Sequence, residues 1–514
     1  MNQFFFIFAA MLKKPLVMKT KLLLSVFLLA CATTFAQWTS PGDGSTYSFD
    51  QLVQLSDGCV TLEENTSINK IYSINGDLTI SPNDHLVLDG SGITTEVLCH
   101  GHITIQGGIR SQFVRFSADD GDDFHICLEH CTDSCVFVGT DFYRFSGIRI
   151  IESDAAFIFC HIQGFNTAYT SGAVNYMNCS PSFSLCNFTL NQGAAISSGA
   201  NVTGSPQIMD CWFAGNVLSN ENQPQINLGP GAEDTIRIVN NYIYGDSDRA
   251  IASSSMVGGI AISDLLQTGS TKVLLQNNTI SGNRYGYTQQ GYSIDALIIG
   301  NVMEENNYGD DPMSGGSGIS IYGYSTQCKA KLRNNEIIGN YWGITAIYYY
   351  DIDMGTEDDF GNNVIYGNHH DGYGTDQEYA LYVNGSNDIT AIGNYWGGPD
   401  EDYAESVIYH RPDLGDSYGL VTYTPVLAQA PTGVSAVKAP SFTVYPNPAH
   451  GLLWVETLSD KGLDPVAYRI ANLTGQVLLT GSLSVVPSTI DISSLTPGCY
   501  VLTIGPASQI LIVR

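Results

Sequence analysis

The chain has few charged residues, and positive charge is scarcest. Only 14% of its 514 residues are charged, and 21 Lys and Arg stand against 50 Asp and Glu, a formal net charge of −29. Such an acidic surface disfavours nucleic acid and anionic membranes as partners, because both repel it. It also disfavours a groove that holds polyuronates directly, unless bound cations bridge the charges.

Long apolar runs are also scarce. The run Leu22–Ala30 follows Lys19 and Lys21 and is shorter than the ~20 residues of a membrane span. Thr34-Phe35-Ala36 then forms a cleavage site with small residues at its first and last positions, and Gln37 follows. This order predicts a signal peptide over 1–36, cleaved between Ala36 and Gln37 for export through Sec, and no membrane span after its removal.

Two alternatives concern this segment. A second apolar run, Phe4–Leu12, precedes Met18, which favours Met18 as the true start. Leu28–Cys31 can also be interpreted as a lipobox with Cys31 lipidated, although Leu29 fits that pattern poorly.

The cysteine pattern matches no standard metal site. Cys31 lies in the predicted signal peptide, so eleven of the twelve Cys remain, an odd number that leaves one thiol unpaired or shared with another chain. Cys160 and Cys186 fall at equivalent repeat positions and predict a disulfide or a buried thiol stack. A further group is spaced by four residues with His interleaved: Cys127, Cys131 and Cys135, with His125 and His130, and with His100 and His102 upstream. That spacing favours disulfide or core packing over zinc.

A short Asn-rich repeat organises the middle of the chain. The pattern Asn-Asn-x-Ile-x-Gly-Asn stands at 277–283 and recurs at 334–340, 362–368 and, more loosely, 240–246. Copies aligned on their second residue recur about every 28 residues, at Asp141, His161, Asn187, Cys211, Asn241, Asn278, Asn301, Asn335, Asn363 and Asn394. Short β-rich runs and turns fill each unit, as in one coil of a parallel β-helix. Because Asn amides both donate and accept, we expect hydrogen-bonded ladders along the axis.

The last repeat carries a family resemblance. Residues 392–400, Ile-Gly-Asn-Tyr-Trp-Gly-Gly-Pro-Asp, and 421–427, Val-Thr-Tyr-Thr-Pro-Val-Leu, resemble the final coil of right-handed parallel β-helix proteins of the pectate-lyase-like superfamily. The resemblance implies a fold and not an activity, since such helices carry lyases, hydrolases, epimerases and adhesins.

The predicted fold class is all-β, a right-handed parallel β-helix solenoid followed by a small C-terminal β-sandwich. We place an N-terminal cap at 37–70, about 11 to 13 coils at 71–427, and a linker of small residues and Pro at 428–440. The terminal domain then covers 441–514.

The terminal domain resembles the type A sorting domain of the type IX secretion system of Bacteroidota. The matching positions are Tyr445, Pro446, Asn447, Pro448, Gly475 and Gly498. The resemblance implies a secreted or outer-membrane surface protein, with the type IX machinery as its partner. Two departures are Cys499, where an aliphatic or aromatic residue is usual, and a single terminal basic residue, Arg514.

Known catalytic signatures are missing. The polygalacturonase set is absent as a set, and His410-Arg411-Pro412 does not complete the pectate lyase pattern Arg-x-Pro-x-x-Arg. The best acidic cluster is Asp119, Asp120, Asp122 and Asp123. These carboxylates predict a calcium site, an acid and base pair, or only an exposed turn. The runs 309–311 and 357–359 are weaker versions.

Aromatic residues crowd the C-terminal repeats. Tyr341, Trp342, Tyr348 and Tyr349 are candidates for stacking on sugar rings, and ordinary core packing is the alternative. The sequence therefore predicts a non-catalytic glycan-binding or adhesin-like protein, with a polysaccharide or host glycan as its ligand. A polysaccharide lyase or glycoside hydrolase with an unrecognised site is the second hypothesis. No cofactor is indicated beyond the calcium candidate.

Overall fold

A computed structural model shows an all-β chain. The structure describes residues 37–118, 123–245, 256–265, 269–308, 312–370, 377–431, 442–457, 466–472, 476–483, 488–496, 498–504 and 507–513. Within these ranges no α-helix exceeds seven residues, as expected for a sequence without sustained helical periodicity.

Most strands belong to three parallel stacks, and a complete coil contributes a segment to each stack. The first stack contains Trp38–Thr39, Leu78–Ile80, Ile103–Ile105, His125–Glu129, Gly147–Ile151, Gly172–Met177, Ala194–Ser198, Pro224–Leu228, Gly258–Asp264, Tyr287–Gly291, the starts of Ser317–Arg333 and Trp342–Asp353, Leu381–Gly385 and Ile408–Tyr409.

The second stack continues from the first after a turn. It contains Thr46–Tyr47, His85–Asp89, Gly108–Gln112, Cys135–Val138, Ala155–Ile158, Ser182–Ser184, Gln207–Met209, Ile236–Val239, Thr271–Gln276, Ile294–Ile299, the ends of Ser317–Arg333 and Trp342–Asp353, Ile389–Thr390 and Val421–Thr422. The two long strands run through both stacks and join them into one sheet.

The third stack closes each coil. It contains Asn69–Ile74, Thr94–Cys99, Val114–Ser117, Asp141–Tyr143, His161–Gln163, Asn187–Thr189, Trp212–Ala214, Tyr242–Tyr244, Thr279–Ser281, Val302–Glu304, Glu336–Ile338 and Val364–Tyr366. Val60–Asn65 pairs with its first strand in the antiparallel sense. A sheet of 13 strands less this antiparallel one leaves twelve complete coils, which have a strand in all three stacks, and the predicted right-handed parallel β-helix is confirmed. The last two strands of the first and second stacks belong to coils without a strand in the third.

The stack begins inside the segment predicted as a cap. Trp38–Thr39 and Thr46–Tyr47 already pair in parallel with the next coil. Helix Phe49–Leu55, begun by a capping box at Ser48, follows them and buries Phe49 and Leu52. Helices Glu401–Val407 and Arg411–Leu414 lie in the last coils.

Two buried Asn ladders hold the turns. The first runs through Asn241, Asn278, Asn301, Asn335, Asn363 and Asn394, and the second through Asn283, Asn306, Asn340 and Asn368. After the first Asn of each ladder, every Oδ1 accepts two N–H groups of the preceding Asn, and each Nδ2 also donates to a strand carbonyl. The predicted ladder is confirmed.

The upstream alignment of the repeat was wrong by one residue. In the third stack, successive strands pair Asp141 with His161, His161 with Asn187, and Asn187 with Trp212. These residues therefore share the register of Trp212 and not that of Cys211. The ladder position is therefore the residue before each, at Thr140, Cys160, Cys186 and Cys211. Cys186 N–H donates to the Cys211 sulfur at 3.4 Å, and Cys211 N–H donates to Asn241 Oδ1 at 2.9 Å. Thiols and amides thus form one continuous column, and the thiol stack is favoured over a Cys160–Cys186 disulfide, because the described Cys are free.

Side chains pointing inward fill the solenoid with apolar columns. Phe137, Phe157 and Phe183 stack across successive coils with ring centroids 4.9 and 5.1 Å apart. This spacing follows the ~4.8 Å rise between parallel strands. Since one coil cannot bury its own apolar face, stability comes from contact between neighbours.

The C-terminal domain has its own core. Its strands are Phe442–His450, Leu452–Thr457, Val466–Asn472, Val477–Leu483, Ser488–Asp491, Gly498–Ile504 and Ala507–Val513. They pair mainly in the antiparallel sense around buried Leu453, Leu502 and Leu511. This agrees with the predicted small β-sandwich. Most of the predicted linker lies outside the described residues.

Candidate functional site

A groove lies on the outer face of the first stack, in the coils nearest the C-terminal end of the solenoid. Its volume is about 400 Å³. It is lined by Tyr285, Thr288, Pro312, Met313, Gly315, Ser317, Ser320, Trp342, Thr345, Ile347, Tyr382 and Asn384, and we call it the C-terminal groove. Among these described residues none is charged.

Strand register builds the floor of the groove. Thr288, Ser320, Thr345 and Tyr382 occupy the same outward position of four successive coils. Three spacings of ~4.8 Å make this row about 14 Å long, enough for a short oligosaccharide. Ser317 Oγ lies 3.0 Å from Thr345 Oγ1. The floor therefore presents hydroxyl groups that donate and accept hydrogen bonds.

Aromatic rings form the wall. Trp342 is only 6% exposed, and its indole N–H donates to the Pro312 carbonyl at 2.8 Å. Its ring centroid lies 5.1 Å from that of Tyr382, which is half-buried. Tyr379 packs behind both at 4.6 Å from Trp342. A fixed Trp thus holds a partly exposed Tyr ring at the edge of the groove.

A second group of rings adjoins the groove, and we call it the tyrosine cluster: Tyr292, Tyr322, Tyr324, Tyr348 and Tyr349. Tyr322 pairs in register with Ile347, which lines the groove. Tyr322 and Tyr348 meet edge to face at 5.1 Å, and Tyr348 is 52% exposed. The exposed cluster therefore extends the aromatic surface beyond the groove.

The four predicted stacking residues separate into different environments. Trp342 lies in the groove wall, and Tyr348 and Tyr349 lie in the tyrosine cluster. Tyr341 packs over Gly316 and does not line the groove. Sequence reasoning missed Tyr382, whose signal is its register with Thr345 of the preceding coil. It also missed Tyr285, which precedes strand Tyr287–Gly291 and has no such signal.

The acidic cluster is only partly described. Asp119, Asp120 and Asp122 lie outside the described residues, and Asp123 is exposed. Both calcium and catalysis at these carboxylates stay predictions. No group of three or more ligand-type side chains suited to a metal ion is present in the described part of the chain.

Beside Asp123, two His residues and a Tyr form a stack across coils. The His102 and His125 rings lie 3.8 Å apart, and His125 and Tyr169 lie 3.6 Å apart. Burial, and then the neighbouring His102, lower the pKa of His125 to about 4, so it is neutral at pH 7. The Arg149 guanidinium covers the Tyr169 ring at 4.2 Å. The stack packs these side chains against one another.

The run 357–359 forms part of an ion-pair cluster on the second stack. Arg333, 6% exposed, donates to both oxygens of Asp353 at 2.8 and 2.9 Å and to Asp359 at 2.9 Å. Lys331 also contacts Asp359, at 2.8 Å. Because cations already hold both carboxylates, this cluster stabilises the fold and offers no free acid and base pair.

We expect Asp359 to make stability depend on acid pH. Hydrogen bonds from Arg333 and then Lys331 lower the pKa of Asp359 to about 2, below the unfolded value of about 3.9. A lowered folded pKa gives stability that is present above pH 4 and lost as the pH falls towards 2. The stability difference between wild type and Asp359→Asn, measured by urea unfolding, should therefore shrink from pH 5 to pH 2.

The neighbouring residue gives the control for this prediction. Asp358 is exposed and one position away. Asp358→Asn removes the same charge but keeps the Asp359 oxygen bonded to Arg333 and Lys331, so its stability difference from wild type should shrink less across the same pH range. A pH-independent offset for Asp359→Asn would contradict the prediction.

The targeting motifs are described in part. Ala36 lies outside the described residues, and Gln37 is the first of them. In the sorting domain, residues 445–448 run within strand Phe442–His450, and Gly498 begins the strand that pairs with Ala507–Val513. Gly475 lies outside the described residues. In the described ranges, no helix has the length and apolar character to cross a membrane.

Two segments match known families. Residues 256–400, which contain the groove, match the family described as protein of unknown function (DUF1565). Residues 443–513 match the secretion system C-terminal sorting domain. The protein is a parallel β-helix protein with a type IX secretion sorting domain. The sorting domain marks it for secretion or cell-surface export.

Solved structures resemble the chain only distantly. The periplasmic alginate epimerase AlgG is 12% identical with a TM-score of 0.45, over 74% of this chain and 83% of that one. The Siphovirus 9NA tailspike receptor binding domain is 7% identical with a TM-score of 0.30, over 91% and 98%. No curated protein matches the sequence.

Proposed function

We propose that this exported protein binds glycans without cleaving them, and that the C-terminal groove accepts an uncharged stretch of polysaccharide. The observation that carries the proposal is the combination of an uncharged lining, a hydroxyl floor and an aromatic wall. The apolar faces of sugar rings pack on aromatic rings, while sugar hydroxyls bond to Ser, Thr and Asn side chains. Delivery would begin with Sec export on residues 1–36 and end at the cell surface or outside the cell.

The absence of charge from the described lining favours binding over hydrolysis. Glycoside hydrolases place two carboxyl groups about 5 to 9.5 Å apart across the scissile bond. The described groove residues include no Asp or Glu. Residues 309–311, which precede Pro312 and include Asp310 and Asp311, lie outside the described ranges, so cleavage is an outcome that the experiment must score.

The test uses the full-length protein with a panel of neutral and acidic polysaccharides, with and without calcium. Pull-down of intact glycan, reducing ends and the ultraviolet absorbance of unsaturated uronates are measured in the same mixtures. We expect a neutral glycan to be retained without new reducing ends. Cleavage of any substrate would refute the proposal that the protein binds glycans without cleaving them. Retention of acidic glycans alone would refute the proposal that the groove accepts an uncharged polysaccharide.

Tyr382 should contribute strongly to binding. Tyr382→Ala removes the partly exposed ring but leaves Trp342 anchored to Pro312. We expect a loss of about 1.5 kcal/mol, or about tenfold in Kd, measured by titration calorimetry. Tyr242→Ala is the matched control, since this half-buried Tyr lies on the third stack. Equal losses in the two variants would place the site elsewhere.

A further inference from the structure

We propose that Cys131 and Cys135 are an oxidation site, which a small-molecule disulfide converts into an intrachain disulfide after export. Their sulfur atoms already lie 3.5 Å apart. A disulfide bond measures about 2.05 Å, so oxidation needs the sulfurs to approach by only about 1.5 Å. The proposal does not depend on glycan binding.

The backbone holds the two thiols together. Cys131 follows strand His125–Glu129 after His130, whose φ of 49° turns the chain, and Cys135 begins strand Cys135–Val138. Cys131 N–H donates to Ser153 Oγ at 3.0 Å, and Cys135 N–H donates to the Asp154 carbonyl at 2.9 Å. Both residues are thus fixed to the next coil, and the pair faces each other in the reduced protein.

The two thiols differ in accessibility. Cys131 is half-buried, whereas Cys135 is fully buried. The Cys135 thiol donates to the Cys131 sulfur, which lowers the pKa of Cys131 and raises that of Cys135. Cys131 is therefore the thiol that meets an oxidant first.

Oxidation follows thiol–disulfide exchange. The Cys131 thiolate attacks one sulfur of the external disulfide, forms a mixed disulfide and releases one thiolate. Cys135 then gives its proton to that thiolate, attacks the Cys131 sulfur and displaces the second thiolate. The second thiolate takes up the proton that Cys131 lost to water when it ionised, so two protein thiols are oxidised and one external disulfide is reduced to two thiols.

The cysteines of the ladder column are poorly placed for this reaction. Cys160, Cys186 and Cys211 lie in the ladder column with at most 1% exposure. The Cys186 thiol, for example, is hydrogen-bonded at 3.3 Å to two strand carbonyls. Oxidants in solution do not reach them, so the column should remain reduced while Cys131 reacts.

The test maps thiols in full-length secreted protein incubated with oxidised glutathione. After denaturation and alkylation, trypsin releases residues 116–144, a peptide that contains Cys127, Cys131 and Cys135 and no internal Lys or Arg. We expect one alkyl group, on Cys127, and a mass two hydrogens lower for the linked pair. Prior reduction should restore all three alkylation sites.

Variants identify the pairing. Cys127→Ser should keep the linkage, whereas Cys131→Ser should abolish it and leave Cys135 open to alkylation after denaturation. Three alkyl groups on the oxidised wild-type peptide, or a link that includes Cys127, would overturn the proposal. The wild-type map decides the question even if a variant fails to fold.

Discussion

Asn335→Ala is expected to lower the free energy of unfolding by about 3–5 kcal/mol. Asn335 is fully buried in the first Asn ladder. Its Oδ1 accepts the backbone N–H and the Nδ2 of Asn301, both at 3.0 Å. Its Nδ2 donates to the Ile298 carbonyl and to Asn363 Oδ1, both at 2.9 Å. Alanine removes all four bonds and leaves the buried Asn301 N–H without an acceptor.

The measurement is urea unfolding of wild type and variant, in which a lower midpoint with the same dependence of free energy on urea concentration shows a loss of stability. Amide hydrogen exchange adds a local readout, because stability in a solenoid passes between neighbouring coils. Exchange should accelerate at Asn301 and Asn335 more than in the N-terminal coils. Uniform acceleration along the whole stack would contradict a nearest-neighbour account.

The preceding residue supplies a matched control. Asn334 is exposed and has a φ of 55°, so its role is to adopt the left-handed backbone. Asn334→Gly keeps that conformation without strain and should change stability by less than about 1 kcal/mol. Equal losses at Asn334 and Asn335 would show that the ladder bonds contribute little.

The chain itself contains a natural variant of the ladder. Cys160, Cys186 and Cys211 take the ladder position in earlier coils, where a thiol accepts the N–H only weakly. Asn335→Cys should therefore cost less than Asn335→Ala. This ranking separates the loss of an acceptor from the loss of volume.

The same column shows how far local sequence predicts the fold. From Asn241 onward, an Asn holds the ladder position in every coil, so coil length, strand order and ladder could be predicted. Upstream, Thr140 and Cys160 hold the ladder position, and the alignment therefore slipped by one residue. The register there depends on which side chains the neighbouring coils bury, which no single repeat shows.

The groove was only partly predictable for a related reason. In the run 348–350, Tyr348 has a φ of 63° and interrupts the alternation of the strand, so Tyr348 and Tyr349 are both exposed and Tyr350 is buried, which composition alone does not reveal. Tyr382 joins Trp342 because their strands pair in parallel, although 40 residues separate them. The groove is formed by residues of several coils, so they can be identified only when the strand register is known. That register depends on how all the coils pack along the solenoid.

Disrupting the core of the sorting domain is expected to abolish appearance of the protein outside the cell. Residues 443–513 match a secretion sorting domain and enclose a core that shares no residue with the solenoid core. Leu502→Asp places a carboxylate at a fully buried position, which costs several kcal/mol and should unfold this small domain.

Leu478→Asp is the matched control, since Leu478 belongs to the same domain but is 43% exposed. Immunoblots of medium, surface and intracellular fractions should show more than about tenfold loss of exported Leu502→Asp protein and normal export of Leu478→Asp protein. The retained Leu502→Asp protein should still protect its Asn ladders from hydrogen exchange, because the solenoid core is separate. Normal export of Leu502→Asp would show that the folded domain is not what the secretion machinery recognises, and loss of ladder protection would show instead that the two cores fold as one unit.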